Sequence, residues 1–194
     1  MLKIGITGGI GAGKTTITHV FLRLGIPVFY SDIEAAKILT YDEAILKRVK
    51  KIFGPIVFPN GILDRKKLAE TAFYDNDMLL KLNAIIHPAV RKYFERWMKK
   101  NERAPYVLQE AAILIETGGY KLMDYTILVT APENERIERV SGRKNMTKKN
   151  LALRIANQWK DEKKIKFADF IINNDGKTMV LQTILNLHKK FLTE

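Results

Sequence analysis

Residues 8–15 of the chain, GGIGAGKT, have the types and spacing of a loop that binds phosphate. They match G-x-x-x-x-G-K-[ST] directly after an apolar run and directly before a helical pattern, the context that this motif requires. Backbone amides of the loop and of the next helix bind phosphate oxygens, Lys14 neutralises the β- and γ-phosphates, and Thr15 binds Mg²⁺. Thr16 is either a further phosphate donor or only a helix residue. We therefore expect a nucleoside triphosphate to bind through Gly8, Gly9, Gly11, Ala12, Gly13, Lys14, Thr15 and Thr16.

Asp32 has a position from which it can act on a substrate hydroxyl. It follows the second apolar run, 27–30, and ligands lie at the carboxyl ends of parallel strands, so it should face the phosphate loop. A carboxylate there can orient an attacking hydroxyl and take its proton during phosphoryl transfer. The alternative is a helix N-cap, because Ser31 and Asp32 both precede the helical pattern of residues 33–39. Both hold if Ser31 caps the helix and Asp32 is catalytic.

Two further carboxylates follow the third apolar run, 106–109. Glu110 ends that run in the manner of an acidic residue that closes the strand beside a phosphate loop and holds Mg²⁺ through water. Glu116 comes six positions later, before two glycines. Three roles stay open for Glu116: a substrate ligand, a loop cap, or a surface carboxylate.

Much of the chain's net charge of +12 lies in residues 136–166, which hold eleven basic and three acidic side chains. Arg143 precedes a predicted loop and is expected in a mobile lid, where a guanidinium stabilises the transferring phosphoryl group and closure excludes water. For Arg136 we prefer a solvated helix face with Glu135 and Glu138 as partners. Nucleic acid is the weaker explanation of the charge, because aromatic side chains are sparse in the segment.

The elements that position these residues follow an α/β pattern. Apolar runs at 2–7, 27–30, 106–109, 125–129 and 170–172 predict buried parallel strands, and helical patterns after the first run and at 133–140 predict a doubly wound fold. More than seventy residues separate the second and third runs, far more than a crossover requires. Helical patterns at 34–53, 65–73 and 77–97 fill this gap, the last with a boundary or kink at Pro88.

Composition excludes several classes of protein. The 194 residues contain no cysteine, which rules out disulfides and thiolate metal sites, and 46% of them are hydrophobic, which fits a globular core. No apolar stretch approaches the roughly 20 residues that span a bilayer, and the first residues lack a signal-peptide layout. We expect a cytoplasmic protein that acts on a small molecule, with neither nucleic acid nor membrane as partner.

Several segments occur in a specific order along the chain: ITGGIGAGKTT within 4–16, GILDR at 61–65, NAIIHP at 83–88 and ADFIINNDG at 168–176. Together they resemble the dephospho-coenzyme A kinase family nearly end to end. The resemblance implies a three-layer P-loop NTPase core, a helical substrate-binding insertion and a lid. The implied bounds are 1–31 and 105–194 for the core, 32–104 for the insertion and about 136–166 for the lid.

The same resemblance implies a reaction and residue roles. The reaction is ATP-dependent phosphorylation of the 3′-hydroxyl of dephospho-coenzyme A, the last step of coenzyme A synthesis, with Mg²⁺. Asp32 matches the proposed base, Arg143 the lid arginine, and Asn174 and Gly176 a stretch near the adenine; Lys14 and Thr15 keep their roles. His87 is either a substrate contact or a structural histidine at a helix break, and Glu110 is assigned to substrate as well as metal.

Two departures from the family pattern are visible. Residues 30–32 read YSD where the family usually has Asp-x-Asp, so only the second carboxylate remains. Residues 110–116 read EAAILIE where the family has Asp-x-Pro-Leu-Leu-x-Glu, with Glu110 for Asp and Ala112 for Pro. Without the resemblance, the alternatives are another small-metabolite or nucleoside monophosphate kinase or, from a different class, a nucleotide switch or nucleic-acid-binding ATPase.

Overall fold

The computed structural model describes residues 1–141, 151–152 and 155–194. The chain folds as two compact units: Met1–Tyr30 with Lys100–Glu194, and Ser31–Lys99. The first unit contains the sheet, and the second contains helices only.

The five strands that the structure describes in the first unit run parallel in one sheet of order β2-β3-β1-β4-β5. The predicted strands are confirmed, each with one of its two bounds shifted by a single residue. Their bounds are Leu2–Gly8 (β1), Val28–Tyr30 (β2), Tyr106–Glu110 (β3), Tyr125–Thr130 (β4) and Phe170–Asn173 (β5). The α/β prediction is therefore confirmed, with β1 at the centre of the sheet.

Helices cover the sheet because its central strands are apolar on both faces. The helices described in this unit include Lys14–Arg23 (α1), Glu133–Ser141 (α6), Asp161–Lys164 (α7) and Val180–Thr193 (α8). Ile4 and Ile6 are fully buried in a cluster with side chains of α1 and α8. On the opposite face, a Cβ at Gly5 would collide with Leu114 and Met123. Residues between β3 and β4 thus lie directly on the second face.

The second unit consists of Ser31–Tyr41 (α2), Glu43–Phe53 (α3), Arg65–Tyr74 (α4) and Asn76–Lys100 (α5), the last of which extends one residue beyond it. The single helix predicted over 34–53 is wrong. Asp42 has extended backbone and its side chain accepts from Ile45 N, so it caps the start of α3 and separates two helices. Asp64 caps α4 in the same way by accepting from the amides of Lys66 and Lys67 in the first helical turn.

Pro88 does not end a helix, so the predicted boundary at this residue is wrong, and the alternative of a kink stays a prediction. Helix α5 runs continuously through it. Proline removes one amide and one helical hydrogen bond, while Ile85, Ile86, Val90 and Phe94 on both sides of it are buried. Apolar packing along the helix explains how it continues across the missing hydrogen bond.

Within the described ranges, no helix is both long and apolar enough to cross a bilayer. The cytoplasmic location stays a prediction.

His87 generates a testable pH dependence. It is partly buried on α5, and this burial lowers its pKa below the ordinary value of 6.5. The unfolded chain then binds a proton at His87 more readily than the folded chain, so this contribution to the free energy of unfolding rises with pH. It is fully present above pH 6.5 and is lost as the pH falls below that value. We expect His87→Gln to lose less stability than the wild type between pH 7.5 and 5.5.

The measurement is urea unfolding at both pH values, followed by tryptophan fluorescence, since Trp97 lies on the same helix. His19→Gln is the matched control, because His19 is exposed on α1. An identical pH dependence in wild type and His87→Gln contradicts the prediction.

Candidate active site

The phosphate-loop motif connects β1 to α1, as its pattern predicts. Because β1 pairs with β3 on one side and β4 on the other, the loop lies at the carboxyl end of the central strand. Helix α1 begins at Lys14, so the amides of its first turn and its positive dipole end adjoin the loop. The loop, the strand ends and the helix start together form a site suited to an anion.

Glycine is required in this loop for two reasons at once. Gly11 and Gly13 have φ of 80° and 96°, which L side chains rarely adopt. A Cβ at Gly13 would also collide with Asn174 Nδ2, and one at Gly11 with the backbone oxygen of Arg136. The loop is therefore held in its shape by segments that lie far from it in sequence.

Lys14 lies within the loop rather than on its surface. It is 9% exposed, and its Nζ donates to Gly8 O at 2.7 Å and to Gly9 O at 3.2 Å. Main-chain carbonyls thereby compensate a buried positive charge, which would otherwise be costly. The side chain can offer the same ammonium to phosphate oxygens.

Glu110 forms hydrogen bonds with two threonine hydroxyls of α1. Thr15 Oγ1 donates to Glu110 Oε1 at 3.3 Å, and Thr18 Oγ1 donates to Glu110 Oε2 at 3.2 Å. The register of the sheet explains the proximity, because Glu110 is paired with Ile6 two residues before the loop. Thr18 Oγ1 is also 3.3 Å from the hydroxyl of Tyr30 at the end of β2. The structure thus brings together the two predicted Mg²⁺ ligands, Thr15 and Glu110.

These residues fit a magnesium ion by their chemistry. A hydroxyl and a carboxylate are hard oxygen ligands, and Mg²⁺ in nucleotide sites takes one or two protein ligands and completes its shell with water and phosphate. Among the described residues, no three His, Cys, Asp or Glu side chains group to hold a metal by themselves. Thr18 and Tyr30 are absent from the residues predicted for the site, although a polar Thr18 in the apolar row of α1 was an available signal.

Asn174 ties the end of β5 to the phosphate loop. Its Nδ2 donates to Ala12 O at 2.8 Å, and its backbone oxygen accepts from Arg139 at 3.0 Å. The following turn is closed by Asp175, whose carboxylate accepts backbone hydrogen bonds from Thr178 and Lys177, which lower its pKa to about 2. Gly176 in this turn has φ of 72°. Of the two residues assigned to the adenine, Asn174 thus contacts the loop itself.

Arg136 corrects an expectation. Its side chain is only 17% exposed and pairs with Asp161 at 3.5 Å, so the solvated face with Glu135 and Glu138 as partners is wrong. Tertiary packing places the guanidinium against the loop, where a Cβ at Gly9 would collide with it. The helical spacing used in the sequence analysis describes neighbours on one helix only.

Gln158 and Glu116 also support the site from within the fold. Gln158 Oε1 accepts from Ile10 N at 2.8 Å, while its Nε2 donates to Ala112 O at 3.0 Å. Glu116 pairs at 2.9 Å with Lys164, which is fully buried. The surface role left open for Glu116 is therefore wrong. Gln158 gives no signal in the sequence, because a lone glutamine in a basic segment carries no pattern.

The remaining candidate residues lie elsewhere in the chain. Asp32 and His87 belong to the helical unit. Helix α2 begins at Ser31, so Asp32 is its second residue and does not precede the helix. Asp32 is exposed in the first turn, where the helix dipole stabilises a carboxylate. Arg143 lies outside the described residues.

Comparison with known proteins agrees with this geometry. Residues 2–179 match the family model described as CoaE, dephospho-CoA kinase. A curated dephospho-CoA kinase from Bacteroides fragilis is 38% identical over 186 residues, covering 96% of this chain and 91% of the relative. The crystal structure of TT1252 from Thermus thermophilus is similar with a TM-score of 0.85 at 34% identity. The match covers 100% of this chain and 98% of the TT1252 chain.

A solved dephospho-CoA kinase from Campylobacter jejuni has a TM-score of 0.70 at 25% identity, covering 98% of this chain and 97% of its own. The family model spans both structural units, and the sheet it includes carries the phosphate loop, its lysine and the Thr15–Glu110 pair. On these grounds the chain belongs to the dephospho-CoA kinase family and is an ATP-dependent kinase.

Proposed function

We propose that this kinase transfers the γ-phosphoryl group of ATP to the ribose 3′-hydroxyl of dephospho-coenzyme A, giving coenzyme A and ADP. The observation that carries the proposal is the arrangement of Lys14, Thr15 and Glu110 around one loop, in a chain whose relatives bear the name of this activity. The geometry of the loop supports binding of the triphosphate, and the name of the related enzymes supports the identity of the acceptor. The helical unit would bind that acceptor. Within the predicted lid, 136–166, the part that carries Arg143 would close, while Arg136 and Lys164 stay packed in the sheet unit.

The phosphate end of the site would work by charge compensation. The loop amides and the start of α1 would bind phosphate oxygens. Lys14 would stabilise the negative charge that develops on the leaving group during transfer. Thr15 and Glu110 would hold Mg²⁺, which when bound neutralises charge on the β- and γ-phosphates. Asn174 and Gly176 would border the adenine, where Asn174 already positions the loop through Ala12 O.

Asp32 would act on the acceptor. It follows Tyr30, the register partner of Glu110, by two residues in the chain. From there its carboxylate would orient the 3′-hydroxyl and accept its proton as the oxygen attacks. Arg143 would stabilise the transferring group from the lid, and His87 and Glu110 would contact the acceptor.

An acceptor screen tests the proposal. ADP release is measured with ATP and Mg²⁺ in the presence of dephospho-coenzyme A, adenylate, other nucleoside monophosphates or RNA. We expect rapid release with dephospho-coenzyme A and little without an acceptor, because a kinase site must exclude water. Preference for a monophosphate indicates a nucleoside monophosphate kinase, slow release without acceptor a nucleotide switch, and stimulation by RNA a nucleic-acid-binding ATPase; each contradicts the proposal.

Asp32→Asn tests the role of the base. We expect kcat to fall by about 10²–10⁴-fold while KM for ATP changes little, since the carboxylate acts on the acceptor hydroxyl during transfer. Glu34→Gln, which makes the same change in the same first turn of α2, is the matched control and should keep its activity. Near-normal turnover of Asp32→Asn would show that another group takes the proton.

Glu110→Gln tests the metal assignment. We expect the Mg²⁺ concentration for half-maximal activity to rise about 10- to 100-fold, the range typical of losing a group that orients a metal site. Glu102→Gln is the control, because Glu102 is exposed in the same unit. An unchanged Mg²⁺ requirement in Glu110→Gln would remove Glu110 from the metal site.

A further inference from the structure

Arg136 brings a second cation to the phosphate loop. Its guanidinium NH1 lies so close to Gly9 that even a methyl group on that residue would collide with it. The backbone oxygen of the same residue lies within collision distance of a Cβ at Gly11. The first turn of α6 therefore packs directly on the loop, and the positive charge of Arg136 adjoins main chain that surrounds Lys14.

Asp161 holds the guanidinium in this place. The two side chains are 17% and 18% exposed and are joined at 3.5 Å between NH1 and Oδ2. Burial raises the pKa of Asp161, while the positive charges of Arg136, Lys164 and Lys14 act in the opposite direction. The carboxylate thus lies within the electrostatic reach of three cations, including the lysine of the phosphate loop.

The pair leaves hydrogen-bonding capacity unused. Arg136 Nε and Asp161 Oδ1 are both buried and have no hydrogen-bond partner among the residues that the structure describes. Buried polar atoms without partners are costly, and the partners that would satisfy them are water or a ligand. Here the unused donor belongs to a cation beside a loop that binds phosphate.

We propose that Arg136 is a positioning residue for the phosphate chain of the nucleotide: it presses on Gly9, adds positive charge at the loop, and is oriented by Asp161. Asp161 has a second effect, because its negative charge limits the attraction that Lys14 and Arg136 exert on the anion. The proposal rests on nucleotide binding at this loop as given under the proposed function. It assigns a role distinct from that of Arg143.

The two members of the pair should have opposite effects. Arg136→Gln removes a positive charge beside the loop, so triphosphate affinity should fall about tenfold, and Arg136→Lys should restore part of it. Asp161→Asn keeps an oxygen that accepts from the guanidinium but loses the negative charge. The affinity of this variant should rise severalfold.

The experiment is calorimetric titration of each variant with inorganic tripolyphosphate and with ATP, at two salt concentrations and without acceptor. Arg23→Gln is the matched control, because Arg23 is exposed in the last turn of α1, nine residues from Lys14 and about 14 Å along the helix. Circular dichroism melting verifies that the variants fold. A charge effect of Arg136 also predicts a weaker salt dependence in Arg136→Gln, which a purely structural role would not produce.

Wild-type affinity in Arg136→Gln, or weaker binding in Asp161→Asn, overturns the proposal. Unchanged salt dependence in a weakened Arg136→Gln also overturns it, since the side chain would then serve packing alone. Wild-type protein that fails to bind tripolyphosphate and ATP contradicts the proposed function as well. Binding by the wild type with no response to these substitutions contradicts only the role of Arg136.

Discussion

A buried ammonium group within a turn of main chain is the constraint on which the site depends. Lys14 Nζ is held by the carbonyls of Gly8 and Gly9, and without such partners a buried charge would strongly destabilise the fold. The loop must therefore adopt a backbone conformation that directs the carbonyls of Gly8 and Gly9 toward Lys14 Nζ. The same conformation directs amides of the loop and of α1 toward a bound anion. The stability of the fold and the binding of phosphate therefore require the same loop conformation.

That shape is maintained by residues remote in sequence. Asn174 bonds to Ala12 across 162 positions, and Gln158 bonds to Ile10 across 148. Arg136 lies against Gly9 from the first turn of α6. Each contact engages a different point of the loop, so the loop is pre-organised by the sheet unit around it, and little ordering is left for the ligand to impose.

Besides Lys14, two cations of this unit with little exposed side-chain surface pair with carboxylates. Glu116 pairs with the fully buried Lys164, and Asp161 pairs with Arg136. Loss of one partner from such a pair leaves an uncompensated buried charge, which costs far more than the net value of the pair. The net charge of +12 therefore says little about the site, where cations and carboxylates are matched individually.

The sequence by itself determined the strands, the phosphate loop and the family, because strand burial, glycine spacing and ordered motifs are local properties of the chain. It also placed Thr15 and Glu110 in one site, since parallel strands end at the same edge. It failed at the helix over 34–53, at a helix boundary at Pro88 and at Arg136, where long-range packing or a capping side chain outweighed local preference. Only tertiary structure decided which groups lie around the loop and support it. Gln158, Asp161 and Lys164 carry no pattern in sequence, because each contacts a partner more than twenty residues away that only chain packing brings close.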